Sequence, residues 1–305
     1  MKHLNSLFYI FAVSLMFTSC GGDADESFSG NNGTSVTNNT NANDTSLDPA
    51  IGRLEFPKVK GGNSIILIHR TNDDYDSEGI NYAVEWDCDK KSQRWTCYQM
   101  TKNYKGNAGY YGSFEEDPDI PSSARFSDTY SYYRGSGFTR GHICPSADRQ
   151  YSKEANKQTF YYTNMQPQYY NFNGGDNYSG EWVKMENQVR TWTNLSANEI
   201  LYVCKGGTID KEEQILSRIK GELIVPKYFF MALLCKNAQG YKALAFWVEH
   251  TDVIKQKINL ADYVISIDEL EQKTGIDFFC NLPDDIENSV ESLPRENIIR
   301  AWGLK

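Results

Sequence analysis

The stretch Phe138-Thr139-Arg140-Gly141-His142-Ile143-Cys144-Pro145 holds a histidine whose surroundings differ from those of the other three in the chain. His3 lies at the extreme amino terminus, and His69 and His250 each end an apolar, strand-like run, the usual setting of a structural or surface imidazole. His142 instead follows Arg140-Gly141 and precedes Pro145, so a backbone that permits close approach leads into a residue that breaks regular structure. An imidazole there can take a proton from water, and a neighbouring guanidinium can hold a phosphoryl oxygen.

Working outward, the sequence continues as Thr159-Phe160-Tyr161-Tyr162-Thr163-Asn164-Met165-Gln166-Pro167-Gln168. It then reads Tyr169-Tyr170-Asn171-Phe172-Asn173-Gly174-Gly175 and Trp182-Val183-Lys184-Met185-Glu186. Together these stretches resemble the DNA/RNA non-specific endonucleases of the ββα-metal superfamily. That family carries an Asp-Arg-Gly-His-x-x-Pro stretch, an Asn-Met-x-Pro-Gln stretch, and an Asn near a Trp-x-x-Leu-Glu helix. The likeness is close from Gly137 to Trp192 and looser through Ile224 to Phe230 and Ile265 to Leu282.

The resemblance implies a role for each matching residue. His142 corresponds to the general base that activates water, and Arg140 to the Arg that contacts phosphate. Asn173, nine residues after Asn164, corresponds to the metal-binding Asn. Glu186 corresponds to the acid that orients metal-bound waters, and Asn164 to an Asn that positions the site. An amide oxygen is a hard neutral donor suited to magnesium, with manganese or another divalent ion as alternatives. The implied reaction is in-line attack of water on a phosphodiester of DNA or RNA, leaving 5′-phosphates.

Three departures stand out. Thr139 occupies the position where the family usually has Asp. The family also has an Arg shortly before an aromatic-x-x-Asp-Pro stretch; here Tyr110-Tyr111-Gly112-Ser113-Phe114-Glu115-Glu116-Asp117-Pro118 contains none, leaving Arg125 and Arg134 as candidate replacements. Extra residues from Gly175 to Gly180 separate Asn173 from Trp182 and leave Asn171 and Asn177 as rival ligands.

Strand-like composition marks Ser64 to His69, Tyr82 to Trp86, Thr96 to Met100, Phe160 to Thr163, Ile200 to Cys204, Glu222 to Val225, Phe229 to Leu234 and Ala243 to Val248. Trp182, Met185, Val189 and Trp192 form one apolar stripe of a helix over 181–192. Glu186 borders that stripe, where an inward carboxylate is costly without charged partners or a metal shell. Further helices are expected at Ile267 to Thr274 and within Asp284 to Leu293. Strands without strict βαβ alternation predict an α+β domain: a largely antiparallel central sheet flanked by helices.

At the amino terminus, Lys2 precedes an apolar run from Leu7 to Phe17 that is too short to span a bilayer, then Thr18-Ser19-Cys20-Gly21. This resembles a bacterial lipoprotein signal, with Cys20 as the acylated first residue of the mature chain. The implied location is exported and lipid-anchored in the envelope, at the outer membrane, on its periplasmic or surface face. Residues 21–50 are Gly, Asn, Ser, Thr and Asp with little to bury, the composition of a flexible tether. Residues 51–305 suit one nuclease domain.

The net charge is −9; five acids against Lys2 in residues 1–50 leave −5 for the rest. Such a chain does not coat nucleic acid by charge neutralisation, though a metal-assisted hydrolase needs positive charge only at the reacting phosphate. Seven basic against five acidic residues between Arg134 and Arg190 hint at a local phosphate-binding face. The tyrosines at 130, 132, 133, 161, 162, 169 and 170 fit core packing better than base stacking. Six cysteines beyond Cys20 allow fifteen pairings, and Cys88 and Cys97 flank a polar turn as a cross-hairpin pair would. No obligate protein partner is evident. Beside the sugar-non-specific endonuclease stand two alternatives: a phosphodiesterase selective for one nucleic acid, and a catalytically weakened surface lipoprotein that binds nucleic acid or a partner.

Overall fold

A computed structural model describes residues 38–72, 76, 78–102, 108–195 and 197–305. The signal-like segment and Cys20 lie outside these residues. Strands β1 (Ser64–Arg70), β2 (Ile80–Asp87) and β3 (Ser92–Thr101) form an antiparallel meander, as alternating aromatic and β-branched residues dictate. Next come helix α1 (Thr129–Tyr133), β4 (Thr139–His142), α2 (Lys153–Gln158), β5 (Met165–Gln168), α3 (Tyr170–Asn173) and α4 (Glu181–Thr193). The chain continues through β6 (Asn198–Gly207), β7 (Ile215–Ile219), β8 (Leu223–Pro226), β9 (Tyr228–Asn237), β10 (Gly240–Glu249) and β11 (Val264–Ile265). It ends with α5 (Ile267–Thr274), α6 (Asp284–Glu291) and α7 (Arg295–Trp302).

Seven strands build one antiparallel sheet in the order β1-β2-β3-β6-β9-β10-β11, while β4-β5 and β7-β8 are separate two-stranded ribbons. This is the α+β architecture expected from the strand pattern. Both faces of the sheet are covered, so β2 is buried at every position. Because side chains alternate, Tyr82, Val84, Val203, Leu233 and Phe246 face one side, where the α4 stripe Trp182, Met185, Val189 and Trp192 packs. Each of these apolar side chains contributes roughly 2 kcal/mol by leaving water. Ala83, Cys97, Cys204, Ala232 and Ala245 face the other side, against Ile267 and Leu270 of α5 and Val290 of α6.

Several expectations need correction. Phe160 to Thr163 is not a strand: Tyr162–Asn164 forms a 3-10 turn, and the strand begins at Met165. The aromatic content there reflects burial, whereas β5 was hidden by its Pro and Gln residues. Helix α6 (Asp284–Glu291) lies within its expected span, whereas α7 was not anticipated. The tether does not extend to residue 50. The Asn39 amide donates to the carbonyls of Cys280 and Leu282, and Asn43 is buried with its amide on Ile51 O and Pro57 O. Asparagines read as a linker here dock through hydrogen bonds rather than apolar area.

Cys88 and Cys97 do not face each other. Asp87 pairs with Ser92 at the hairpin end, Cys97 lies opposite Ala83, and on its other side Cys97 meets Cys204. All six described cysteines carry free thiols.

Candidate active site

The ribbon β4-β5 places the motif. Thr139 lies opposite Gln168, Arg140 opposite Pro167, Gly141 opposite Gln166 and His142 opposite Met165. Pro167 lacks an N–H to donate, which a two-stranded ribbon tolerates. Gly141 is required for close approach, since a Cβ there would lie 2.2 Å from the Gln168 side chain. The ribbon is tied to the main sheet through Gln166, which donates to Gln93 O at 3.2 Å and accepts from Gly207 N at 2.7 Å. It is tied to α4 by the Trp182 indole, which donates to His142 O at 3.2 Å.

The loop after His142 is held by Asn164. Its amide donates to Cys144 O and Thr159 O at 2.9 and 2.8 Å, and its oxygen accepts from Cys144 N at 2.8 Å. Asn164 is fully buried and occupied by these backbone contacts. Just after β5, His250 braces the chain at Tyr169. It accepts the Tyr169 N–H on Nε2 at 2.7 Å and holds Pro226 O through Nδ1 at 2.9 Å, which fixes a neutral tautomer. Phe138, Tyr169, Phe172 and Phe229 enclose its ring, and burial lowers its pKa to about 4.

His142, Asn173 and Glu186 line one open cleft of about 970 Å³, with Thr139, Asn177 and Arg190. The His142 ring sits edge-on to Phe160 at 4.9 Å, and its Nε2 is out of solvent without a hydrogen-bond partner among the described residues. Burial, reinforced by the charges of Lys205 and Arg140, lowers its pKa to about 3, so the ring rests in the proton-accepting form.

Thr139 answers the question posed by the missing Asp. Its hydroxyl donates to Gln168 O at 2.9 Å and accepts the Asn173 amide N–H at 3.1 Å. The amide nitrogen of Asn173 is thereby occupied, and its oxygen remains as a donor atom for a hard cation. Of the rival ligands, Asn171 turns its amide to Asp252 at 3.0 Å, while Asn177 lines the same cleft as Asn173.

Glu186 is almost buried, and its charge is met by protein. Lys205 on β6 reaches Oε1 at 2.9 Å, and Arg190, one turn on in α4, approaches Oε2 at 3.6 Å. Lys205 is 1% exposed and also lies 4.7 Å over the Trp182 ring. The sequence reading did not single it out; its only signal was a charged residue directly after the run Leu201 to Cys204, within a strand. Arg190 also pairs with Asp148 at 2.6 Å.

Arg140 does not line the cleft. Its guanidinium stacks on the Phe114 ring at 3.8 Å, and that ring in turn neighbours His142 at 5.8 Å. Neither candidate replacement for the absent Arg reaches the cleft: Arg125 faces Glu116 at 3.8 Å beside a separate cavity, and Arg134 is exposed elsewhere. Tyr110 stands on the cleft wall instead.

Part of the expected basic face is consumed by internal contacts. Arg149 is buried over Tyr98, Arg190 holds two carboxylates, and Lys157 faces Glu115 at 3.4 Å. Of the tyrosines, Tyr133 and Tyr162 are buried, while Tyr170 is exposed and lines the cleft with Tyr110 and Tyr178. A second cluster, His69, Asp117 and Asp119, has metal-ligand composition. It does not line the cleft, and both its ring nitrogens face carboxylates of the cluster, at 3.2 and 3.8 Å.

The sequence matches the model of a family described as DNA/RNA non-specific endonuclease over residues 68–285. A nuclease of Nostoc sp. is 32% identical over 232 residues, covering 73% of this chain and 79% of that protein. The mitochondrial nuclease EXOG of Xenopus laevis is 30% identical, covering 68% of this chain and 58% of that protein. Among solved structures, the EndoG/EndoGI complex aligns with a TM-score of 0.57 at 20% identity, over 73% of this chain and 89% of that one, a likeness of fold.

Proposed function

The chain belongs to the DNA/RNA non-specific endonuclease family, and from that premise we propose that it hydrolyses DNA and RNA with His142 as the general base. The observation that carries this reading is His142: a neutral imidazole whose Nε2 no described residue partners, on the cleft that Asn173 and Glu186 also line.

Each residue then has a task its surroundings allow. His142 accepts the proton of the attacking water at Nε2, and the resulting imidazolium is stabilised by the approaching phosphate. Asn173, with its amide nitrogen held by Thr139, presents Oδ1 to a divalent cation, for which magnesium is our choice. When bound, that ion neutralises charge building on the phosphoryl and leaving oxygens. Glu186, steadied by Lys205 and Arg190, accepts hydrogen bonds from water in the cation's shell. Asn164 positions the loop carrying His142, and Arg140 restrains Phe114 and the ring beside it. Exposed Tyr110, Tyr170 and Tyr178 along the cleft offer faces for unpaired bases.

Purified chain incubated with plasmid DNA and with RNA, in magnesium or chelator, tests the proposal. Magnesium-dependent cleavage of both is expected, with His142→Ala slower by about 10²–10⁴-fold. Cleavage that survives His142→Ala unchanged defeats the assignment, and cleavage of a single substrate identifies the narrower phosphodiesterase. No cleavage at all identifies the weakened binder that the absent Arg suggests.

We also propose that Cys20 is lipidated and anchors the enzyme to the outer membrane, on the strength of the Leu7–Phe17 run and Thr18-Ser19-Cys20-Gly21. Cys20→Ser is expected to release activity from the membrane fraction; retention of the variant in that fraction refutes the anchor.

A further inference from the structure

On the face of the central sheet opposite the cleft, α5 and α6 bring several acids together. Asp268 and Glu271 stand on one face of α5, three residues apart, and Glu287 and Glu291 are one turn apart on α6. Like charges at such spacings destabilise an isolated helix. Ligand oxygens of Asp268, Glu271 and Glu291 all lie within 4.8 Å of one another. The charges acting on Glu291 come from Glu271, Glu287, Asp277 and Asp268, every one acidic.

Glu291 supplies a second, independent observation. It is 6% exposed, and its Oε1 is buried with no hydrogen-bond partner among the described residues. A buried carboxylate with an unpaired oxygen, close to other carboxylates, is costly unless a cation meets it. No described lysine or arginine does so: Lys58 gives its ammonium to Asn41 O and Ala42 O, and Lys273 pairs with Glu269 at 3.3 Å.

We propose that Asp268, Glu271 and Glu291 bind a calcium ion that clamps α5 to α6. Calcium takes oxygen ligands at about 2.4 Å, so any two oxygens on one ion lie no more than about 4.8 Å apart, a limit that these three meet. Its tolerant geometry suits three carboxylates at a half-open site, with water completing the shell; magnesium demands a stricter octahedron. The Glu271 Oε1 already accepts the Phe278 N–H at 2.7 Å, which sets that carboxylate in place. Glu287 and Asp277 accept the Asn41 amide beside it, so the ion would also steady the docking of residues 38–43.

Calcium chloride titrated calorimetrically into the chelator-stripped full chain tests the site, alongside thermal unfolding. The parent is expected to take up calcium with Kd roughly 10⁻⁴ M and to gain at least about 3 °C in Tm at 5 mM. Glu291→Gln and Asp268→Asn should each weaken uptake at least about tenfold and remove the Tm gain, while nuclease activity stays at the parental level. Asn173→Ala should keep both uptake and Tm gain, which separates this ion from any cation in the cleft. Asp268 is half exposed, so its variant remains informative if Glu291→Gln fails to fold. A Tm unmoved by calcium overturns the proposal, as does an equal gain in parent and Glu291→Gln. A Glu291→Gln chain that is stabilised while the parent takes up no calcium overturns it too, and shows the carboxylates sharing a proton.

Discussion

Replacing Lys205 by Met removes the buried ammonium that meets Glu186 and leaves the hydrophobic stem in place. Lys205 Nζ lies 2.9 Å from Glu186 Oε1 and 4.7 Å from the Trp182 ring, with 1% of the side chain exposed. Breaking a buried pair by deleting one partner costs about 3–5 kcal/mol because the other charge is stranded. Here Arg190 still approaches Glu186 at 3.6 Å and is itself a quarter exposed, which places the expected loss near the lower end, about 3 kcal/mol. For a domain of this size that is a fall of roughly 6–12 °C in Tm. Urea unfolding in chelator measures it without interference from a cleft cation. Adding Glu186→Gln removes the stranded charge, so Lys205→Met/Glu186→Gln should recover at least about 1.5 kcal/mol relative to additivity. Turnover by the single variant should fall about 10–100-fold through misplacement of Glu186. A loss below about 1 kcal/mol, or additive single costs, refutes the claim that Lys205 holds Glu186 in place.

His250 makes stability depend on pH. Its folded pKa, about 4, lies below the unfolded value near 6.5, so its contribution is whole above 6.5 and is lost as pH falls toward 4, by roughly 3 kcal/mol. Urea unfolding between pH 8 and 4 should therefore show a steeper acid decline in the parent than in His250→Leu; parallel curves refute it. Thr139→Val removes the acceptor for the Asn173 amide, and should raise the magnesium concentration for half-maximal cleavage about tenfold at a stability cost of about 1 kcal/mol. An unchanged magnesium dependence would show that Asn173 needs no such support. Because the basic residues near the cleft are internally paired, log(kcat/KM) against log salt should have a slope between about 0 and −2. A slope near −6 would reveal a phosphate-binding face that the structure does not display.

The sequence made the local parts of the site legible and the long-range parts illegible, for physical reasons. His142, Asn164 and Asn173 sit in short stretches whose spacing carries the resemblance, and the α4 stripe repeats with helical period. Glu186 could be placed facing inward, but not its partner: Lys205 is 19 residues away and meets it across a helix–sheet seam. A lysine in a strand is ordinarily read as solvent-facing. Strand β5 was unreadable because Met165-Gln166-Pro167-Gln168 lacks β-branched residues; its conformation is imposed by pairing with β4 and by the Gln166 clamp on Gln93 and Gly207. Residues 38–50 were misread because composition reports burial of apolar area, whereas Asn39 and Asn43 dock by satisfying carbonyls in the 280s and 50s.

These long-range contacts also explain how a chain of net charge −9 can host a site for a polyanion. Charge matters over the first few ångströms in a low-dielectric setting far more than as a sum over a screened surface. At the cleft Lys205 and Arg190 meet Glu186, and Arg190 is shared with Asp148, so two bases balance two acids there, while Asp176 on the cleft wall accepts the Tyr170 hydroxyl. Glu186 thus reaches the cleft with its carboxylate oxygens already met by two bases of the protein. A neutral His142 adds no charge, and Asn173 in its proposed role would hold the cation through a dipole. Such a site attracts its substrate only as strongly as the cation it carries, which couples recognition to the metal and leaves the rest of the surface free to be acidic.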